Sequence, residues 1–243
     1  MAEWCIGRII SHERNFASSQ RDQGNAEWAA STEILEYRYL SEMTLSVLGS
    51  TGDIGQCIGR AAKAFGMYTV GYSRSGGRKN DGNKSVFDEQ TTSLQEALQA
   101  ADYVVSVLPS TDATRGLLTL ETLESANVKN GGKSPVLINV GRGDLVSSEA
   151  ALIQALDAGH ISAAILDVMD PEPLPSSSEL WRHPKVTISP HVSALTRGKD
   201  VPKVILEQYQ RYCEAVKYGD GDDDDMAKIA EKLHYVVDWN KGY

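Results

Sequence analysis

With 243 residues, 41% hydrophobic and 23% charged, the chain has the composition of one large globular domain, or one domain plus a fragment. A net charge of −9 and a pI near 5.1 argue against nucleic acid and anionic membranes as partners. Three cysteines without a C-x-x-C suggest neither a disulfide framework nor a zinc site, and no apolar run nears the ~20 residues of a membrane span; Arg8, His12, Glu13 and Arg14 break any signal-peptide core, so a cytoplasmic protein is expected.

Taken in chain order, residues 2–19 place Trp4, Ile6, Ile9, Ile10 and Phe16 at helical spacing and predict one opening helix, with Gly24 at its end. The pattern then changes to strand (45–48), glycine turn, helix (54–65) and strand (68–72), the unit of a parallel βαβ crossover. Further strands are expected at 103–108, 136–140, 161–166 and 186–188, and helices at 93–100, 118–125 and 148–158, the last capped by Ser147. The stretches 76–84 and 127–135 read as loops. A long helix at 199–217 and an acidic break at 219–225 complete the chain. Six strands alternating with helices predict an α/β fold, a doubly wound parallel sheet.

The residues with chemistry lie where strands end. G-S-T-G-D-I-G follows a strand and opens a helix, so bare glycines would admit a pyrophosphate and helix N–H groups would meet it. Gly49, Gly52, Asp53, Ile54 and Gly55 are therefore candidate cofactor contacts. The spacing exceeds G-x-G-x-x-G by one residue, which requires a bulge, and an ordinary tight turn is the plainer alternative. After the second strand come Ser73, Arg74 and Ser75, with Arg78 and Lys79 nearby, where a cofactor lacking a 2′-phosphate would want an acid. This favours NADP(H), with NAD(H) as the alternative; a solvated basic loop would look the same.

Arg142, between glycines in I-N-V-G-R-G, can grip a carboxylate bidentately, although a lone arginine often serves only an ion pair. Glu172, in L-D-V-M-D-P-E-P-L-P, and His191, in S-P-H-V-S-A, each follow a strand-like run. If those strands are parallel neighbours, carboxylate and imidazole meet at one rim as a proton donor and acceptor. His160, His183, His12 and His234 offer no comparable pairing, and no metal-ligand spacing occurs; the run 222–225 lacks the EF-hand pattern.

In order and approximate spacing, G-D-I-G, L-P-S-T-D-A-T-R-G, I-N-V-G-R-G, L-D-V-M-D-P-E-P-L-P and L-W-R-H-P-K-V-T-I-S-P-H-V together resemble the D-isomer-specific 2-hydroxyacid dehydrogenases, most nearly the glyoxylate/hydroxypyruvate reductase branch. The resemblance implies a Rossmann-type domain at 1–197, with 198–243 as a crossing helix and tail of an incomplete second lobe. It implies reduction of a small 2-keto acid to the 2-hydroxy acid: Arg142 on the substrate carboxylate, His191 as proton donor and Glu172 as its orienting partner. Leu108, Pro109, Thr111, Val140, Gly141, Asp167 and Ser193 fall where the family contacts the cofactor. In the family the opening helix and the segment around Trp28 contribute to a two-fold interface, so the resemblance implies a homodimer.

The family carries roughly a further domain ahead of this point, so the chain is expected to be a fragment rather than a natural short form. A cofactor-binding or regulatory module without turnover is the competing reading. A short-chain dehydrogenase is excluded because no tyrosine here has a lysine four positions later.

Overall fold

The computed structural model describes residues 1–28, 32–76, 85–126 and 134–217, with 229, 233 and 236 beyond them. Arg78, Lys79, His234 and the acidic run lie outside the described residues, as do most of the two expected loops. The chain divides into two compact units, Met1–Ser193 and Ala194–Tyr243.

In the first unit the helices are α1 (Ala2–Glu13), α2 (Phe16–Gly24), α3 (Thr32–Leu35), α4 (Asp53–Ala64), α5 (Leu94–Gln99), α6 (Leu120–Ser125) and α7 (Glu149–Asp157). The strands are β1 (Thr44–Leu48), β2 (Tyr68–Tyr72), β3 (Glu89–Thr91), β4 (Tyr103–Ser106), β5 (Val136–Asn139), β6 (Ala163–Leu166) and β7 (Val186–Ile188). The second unit holds α8 (Val201–Lys217).

All seven strands form one parallel sheet, in the order β3-β2-β1-β4-β5-β6-β7. The order reverses between β1 and β4, so a crevice opens beyond their carboxyl ends. Helices cover both faces, which is why β4, β5 and β6 are unbroken buried runs rather than alternating ones. One face packs Cys5, Ile6 and Ile9 of α1 and Ile58 and Ala62 of α4. The other packs Ala97, Leu98, Leu123, Leu152 and Leu156 of α5, α6 and α7. Each fully buried leucine or isoleucine contributes about 1.5–3 kcal/mol of hydrophobic stabilisation.

Three expectations are corrected. Among the described residues the sheet has seven strands, not six, because the polar Glu-Gln-Thr of β3 pairs with β2 at the edge. The opening helix is two: Asn15 takes a left-handed φ of 46°, which an asparagine tolerates, and separates α1 from α2. Ser148, not Ser147, caps α7, its hydroxyl accepting from the Ala151 N–H at 3.1 Å.

At the amino ends of β1 and β4 sits a clasp of charged groups. Glu13, at the end of α1, accepts from Arg38 Nη2 at 2.6 Å and from the Tyr103 hydroxyl at 2.7 Å. Arg38 also pairs with Asp102, whose other oxygen accepts the Thr44 N–H at 2.9 Å. Burial alone would raise the Glu13 carboxyl, but the bonds from Arg38 and Tyr103 and the Arg38 charge hold it below its usual range. Burial, reinforced by Glu13, pushes the Tyr103 phenol far up.

Candidate functional site

The glycine turn absorbs its extra residue between β1 and α4. Gly49, at φ 101°, and Ser50 both donate to the Tyr72 carbonyl at 3.0 Å, and the Gly52 N–H returns to the Gly49 carbonyl at 3.3 Å. α4 then starts at Asp53, directly after its Gly52 cap. A Cβ on Gly55 would lie 2.3 Å from the Gly49 carbonyl oxygen, so the helix can press on the turn only with glycine there. Gly52 differs: its φ is ordinary, at −76°, and a Cβ would meet nothing nearer than 3.7 Å. The protein's own packing leaves that position open, as a pyrophosphate seated on the helix N-terminus requires. Asp53 and Ile54 are exposed on the first turn of α4.

Past β2, Arg74 and Ser75 are exposed, whereas Ser73 is buried and its hydroxyl donates to the Gly76 carbonyl at 2.6 Å. The turn therefore offers Arg74 as its cation and spends the Ser73 hydroxyl on itself. Past β4, Leu108, Pro109 and Thr111 are partly exposed, with the Thr114 hydroxyl tying the turn through the Pro109 carbonyl at 2.5 Å.

Arg142 leaves β5 in a loop built by its neighbours. The buried Asn139 accepts the Gly141 N–H at 3.1 Å and donates to the Arg142 carbonyl at 2.8 Å. A Cβ on Gly141 would stand 2.5 Å from the Leu108 carbonyl oxygen, and one on Gly143 2.0 Å from the Met169 carbonyl carbon. Glycines on both sides of Arg142 are thus what lets the loops leaving β4, β5 and β6 close on one another. Arg142 itself is exposed, and among the described residues it makes no ion pair.

Glu172 and His191 meet as expected of neighbouring parallel strands. Glu172 Oε2 lies 2.9 Å from His191 Nδ1, and Oε1 accepts the Met169 N–H at 2.9 Å, so both carboxylate oxygens are held. His191 adopts a left-handed φ of 54°, and its N–H donates to the Asp167 carbonyl at 2.9 Å. The Asp167 carboxylate, closed to solvent, accepts from the Ser189 hydroxyl (2.6 Å), the Val192 N–H (2.9 Å) and the Ser193 N–H (2.8 Å). Burial would raise its carboxyl; those hydrogen bonds hold it low.

Arg142, Glu172 and His191 line one concavity of about 280 Å³, together with Ser110, Asp144 and Asp170. A larger concavity of about 800 Å³ runs along α7 beside Pro171 and Pro175 and contains none of the three. Convergent chemistry, not size, marks the rim.

Two expected cofactor contacts do not present their side chains to the crevice. Val140 is turned into the core with α1 and α4, and the Asp167 carboxylate is consumed by the His191 loop. Ser193 is also buried, and its side chain lies against the Asp167 carboxylate, where it helps to hold that carboxyl low. Sequence reading missed Asn139 and Ser189; the signal for the first was a polar residue closing an otherwise apolar strand. No group of three or more His, Cys, Asp or Glu able to hold a metal occurs among the described residues.

A doubly wound parallel sheet, with a glycine turn at the point where its strand order reverses, defines a dinucleotide-binding domain. The profile of the "D-isomer specific 2-hydroxyacid dehydrogenase, NAD binding domain" matches residues 6–193. The chain belongs to the D-isomer specific 2-hydroxyacid dehydrogenase family. It is 32% identical over 221 residues to glyoxylate/hydroxypyruvate reductase A of Serratia proteamaculans, covering 90% of this chain and 64% of that protein. Its fold is similar to a family protein from Aeromonas salmonicida, with a TM-score of 0.74 and 36% identity over 88% of this chain and 64% of the other. It is also similar to the NADPH-dependent glyoxylate/hydroxypyruvate reductase of Sinorhizobium meliloti, solved with NADP and sulfate, with a TM-score of 0.77 and 27% identity over 100% and 69%. The chain therefore spans just under two thirds of the curated relatives it matches.

Proposed function

We propose that the chain is the cofactor-side part of an NADP(H)-dependent reductase of small 2-keto acids of the glyoxylate and hydroxypyruvate type. The carrying observation is that Arg142 and the His191–Glu172 pair line one concavity at the carboxyl rim of a dinucleotide-binding sheet. Arg142 binds the substrate carboxylate and turns the adjacent carbonyl toward His191. A carboxylate at Nδ1 orients the ring and pairs with the protonated imidazolium, whose Nε2–H delivers the proton to the carbonyl oxygen and leaves the ring neutral. NADPH, when bound, supplies the hydride that turns the 2-carbonyl carbon into an alcohol carbon.

The glycine turn receives the pyrophosphate and Arg74 the 2′-phosphate, with NAD(H) as the weaker alternative. Gly49, Gly52, Asp53, Ile54, Gly55, Ser75, Leu108, Pro109, Thr111, Gly141 and Ser193 complete the cofactor surface in this reading. Residues 198–243 belong to the substrate-side lobe, and two chains pair about a two-fold axis in the cytoplasm.

A second reading, a cofactor-binding module without turnover, is favoured by one observation: the family match is to the NAD-binding domain alone. NADPH and NADH consumption with glyoxylate and hydroxypyruvate, beside a direct cofactor titration, separates the two. Turnover favouring NADPH supports the reductase; binding without turnover supports the module. Failure of both would overturn the dinucleotide reading of the glycine turn.

A further inference from the structure

We propose that Ser110 and Asp144, with Asp170, make the concavity select 2-keto acids ending in a neutral, hydroxyl-bearing group and reject those with a second anionic group. The inference rests on the reductase reading, because it concerns the end of the substrate that Arg142 and His191 do not hold. Once the carboxylate lies on Arg142 and the carbonyl faces His191, the remaining substituent meets the rest of the lining: Ser110, Gly143, Asp144, Met169 and Asp170.

The Ser110 hydroxyl donates to Asp144 Oδ2 at 2.5 Å and accepts from Arg115 Nε at 3.1 Å. A hydroxyl has one donor and two acceptor lone pairs, so one lone pair of Ser110 is left to receive a substrate hydroxyl. Arg115 is shared between two carboxylates, with Nε 3.4 Å from Asp144 Oδ2 and Nη1 2.9 Å from Asp112 Oδ1, so Asp112, Arg115 and Asp144 together keep a net negative charge beside the lining. Among the lining side chains, Arg142 and His191 are the groups able to carry positive charge, and the substrate carboxylate and Glu172 engage them. Asp144 and Asp170 then face whatever the third carbon carries, in a space of about 280 Å³ that cannot hold like charges far apart. A hydroxymethyl finds an acceptor there; a phosphate or second carboxylate finds two acids.

The test is calorimetric titration of the chain saturated with NADP+, which cannot reduce a keto acid, so binding is read without turnover. Hydroxypyruvate is expected to bind at least about tenfold more tightly than its phosphorylated counterpart or oxaloacetate. Asp144→Asn keeps an acceptor for Ser110 and removes the charge; it should raise the affinity of both multiply charged acids about tenfold relative to that of hydroxypyruvate. Asp170→Asn should act in the same direction and carries the test if the first variant loses its fold by thermal melting. Either multiply charged acid binding the unaltered chain as tightly as hydroxypyruvate, or an unchanged ratio in both variants, would overturn the proposal alone. NADP+ binding with no keto acid bound at all would overturn the reductase reading, and this proposal with it.

Discussion

At the amino ends of β1 and β4, Arg38 is held between Glu13 and Asp102, and Tyr103 donates into the same Glu13 carboxylate. At the carboxyl ends of β5, β6 and β7, by contrast, Arg142, Glu172 and His191 stand exposed around a concavity. The first set of charges answers itself: each acid has a cation or a backbone N–H, and the result ties α1 to the sheet. In the second, Glu172 and His191 answer each other while Arg142 answers nothing charged among the described residues. What holds the exposed trio lies one layer below, in buried Asn139, Asp167 and Ser189. Stability and chemistry are thus built from similar residue types, separated by whether the protein completes its own bonding.

The sharpest test of that separation is His191→Ala. It should lower kcat/KM by about 10³-fold, within the usual range for a lost general acid, and leave urea unfolding and the NADPH dissociation constant unchanged. A large fall in stability would mean that the rim, too, is structural. Glu13→Ala is the mirror experiment. It removes a carboxylate with only 7% side-chain exposure, leaves Arg38 with Asp102 as its one acid and unpairs the buried Tyr103 hydroxyl. It should cost about 3 kcal/mol in urea unfolding without altering cofactor affinity. A loss below about 1 kcal/mol would reduce the clasp to an ordinary surface pair.

The rim was legible in the sequence because its parts are local and ordered. A strand, a turn residue and a candidate site side chain follow within a few positions, three times over: Asn139 to Arg142, Leu166 to Glu172, and Ile188 to His191. The clasp was not, since Glu13, Arg38 and Asp102 are separated by long stretches and no periodicity links them. β3 escaped for a different reason. An edge strand with one partner needs no apolar run, and Glu-Gln-Thr reads as loop until its pairing with β2 is seen. Asp167 was expected as a cofactor contact, and its burial was not legible, because a carboxylate with three donors leaves the same letter as a carboxylate facing a ligand.

That residue blurs the contrast between the two ends, since it is an acid at the functional end used as acids are used at the other. Asp167→Asn replaces one acceptor oxygen by an NH₂ group. Oδ1 must serve both Ser189 and Val192, and the new amide then confronts the Ser193 N–H, donor against donor. The expected loss is about 2 kcal/mol, accompanied by shifted amide resonances of Val192 and Ser193. Weakened NADPH binding with unchanged stability would instead make Asp167 a cofactor contact.

The smallest expected effect lies in pH, and it again divides the two ends. His12 precedes Glu13 on α1, with the Tyr103 ring edge-on at 6.0 Å. Burial lowers its pKa, the Glu13 charge works against that and Arg38 adds to it. The unfolded chain therefore takes up a proton at His12 before the folded one does, and stability falls as pH drops below about 6.5 toward the lowered folded value. Glu13 acts in the same direction at lower pH: its folded pKa is depressed, so its contribution is complete above the ordinary 4.5 and is lost as pH falls through the folded value. Urea midpoints across this range should show the upper step in the unaltered chain and in His191→Ala alike, and lose it in His12→Asn. An upper step that survives His12→Asn would place the titrating group elsewhere and break the assignment of acid sensitivity to the amino end.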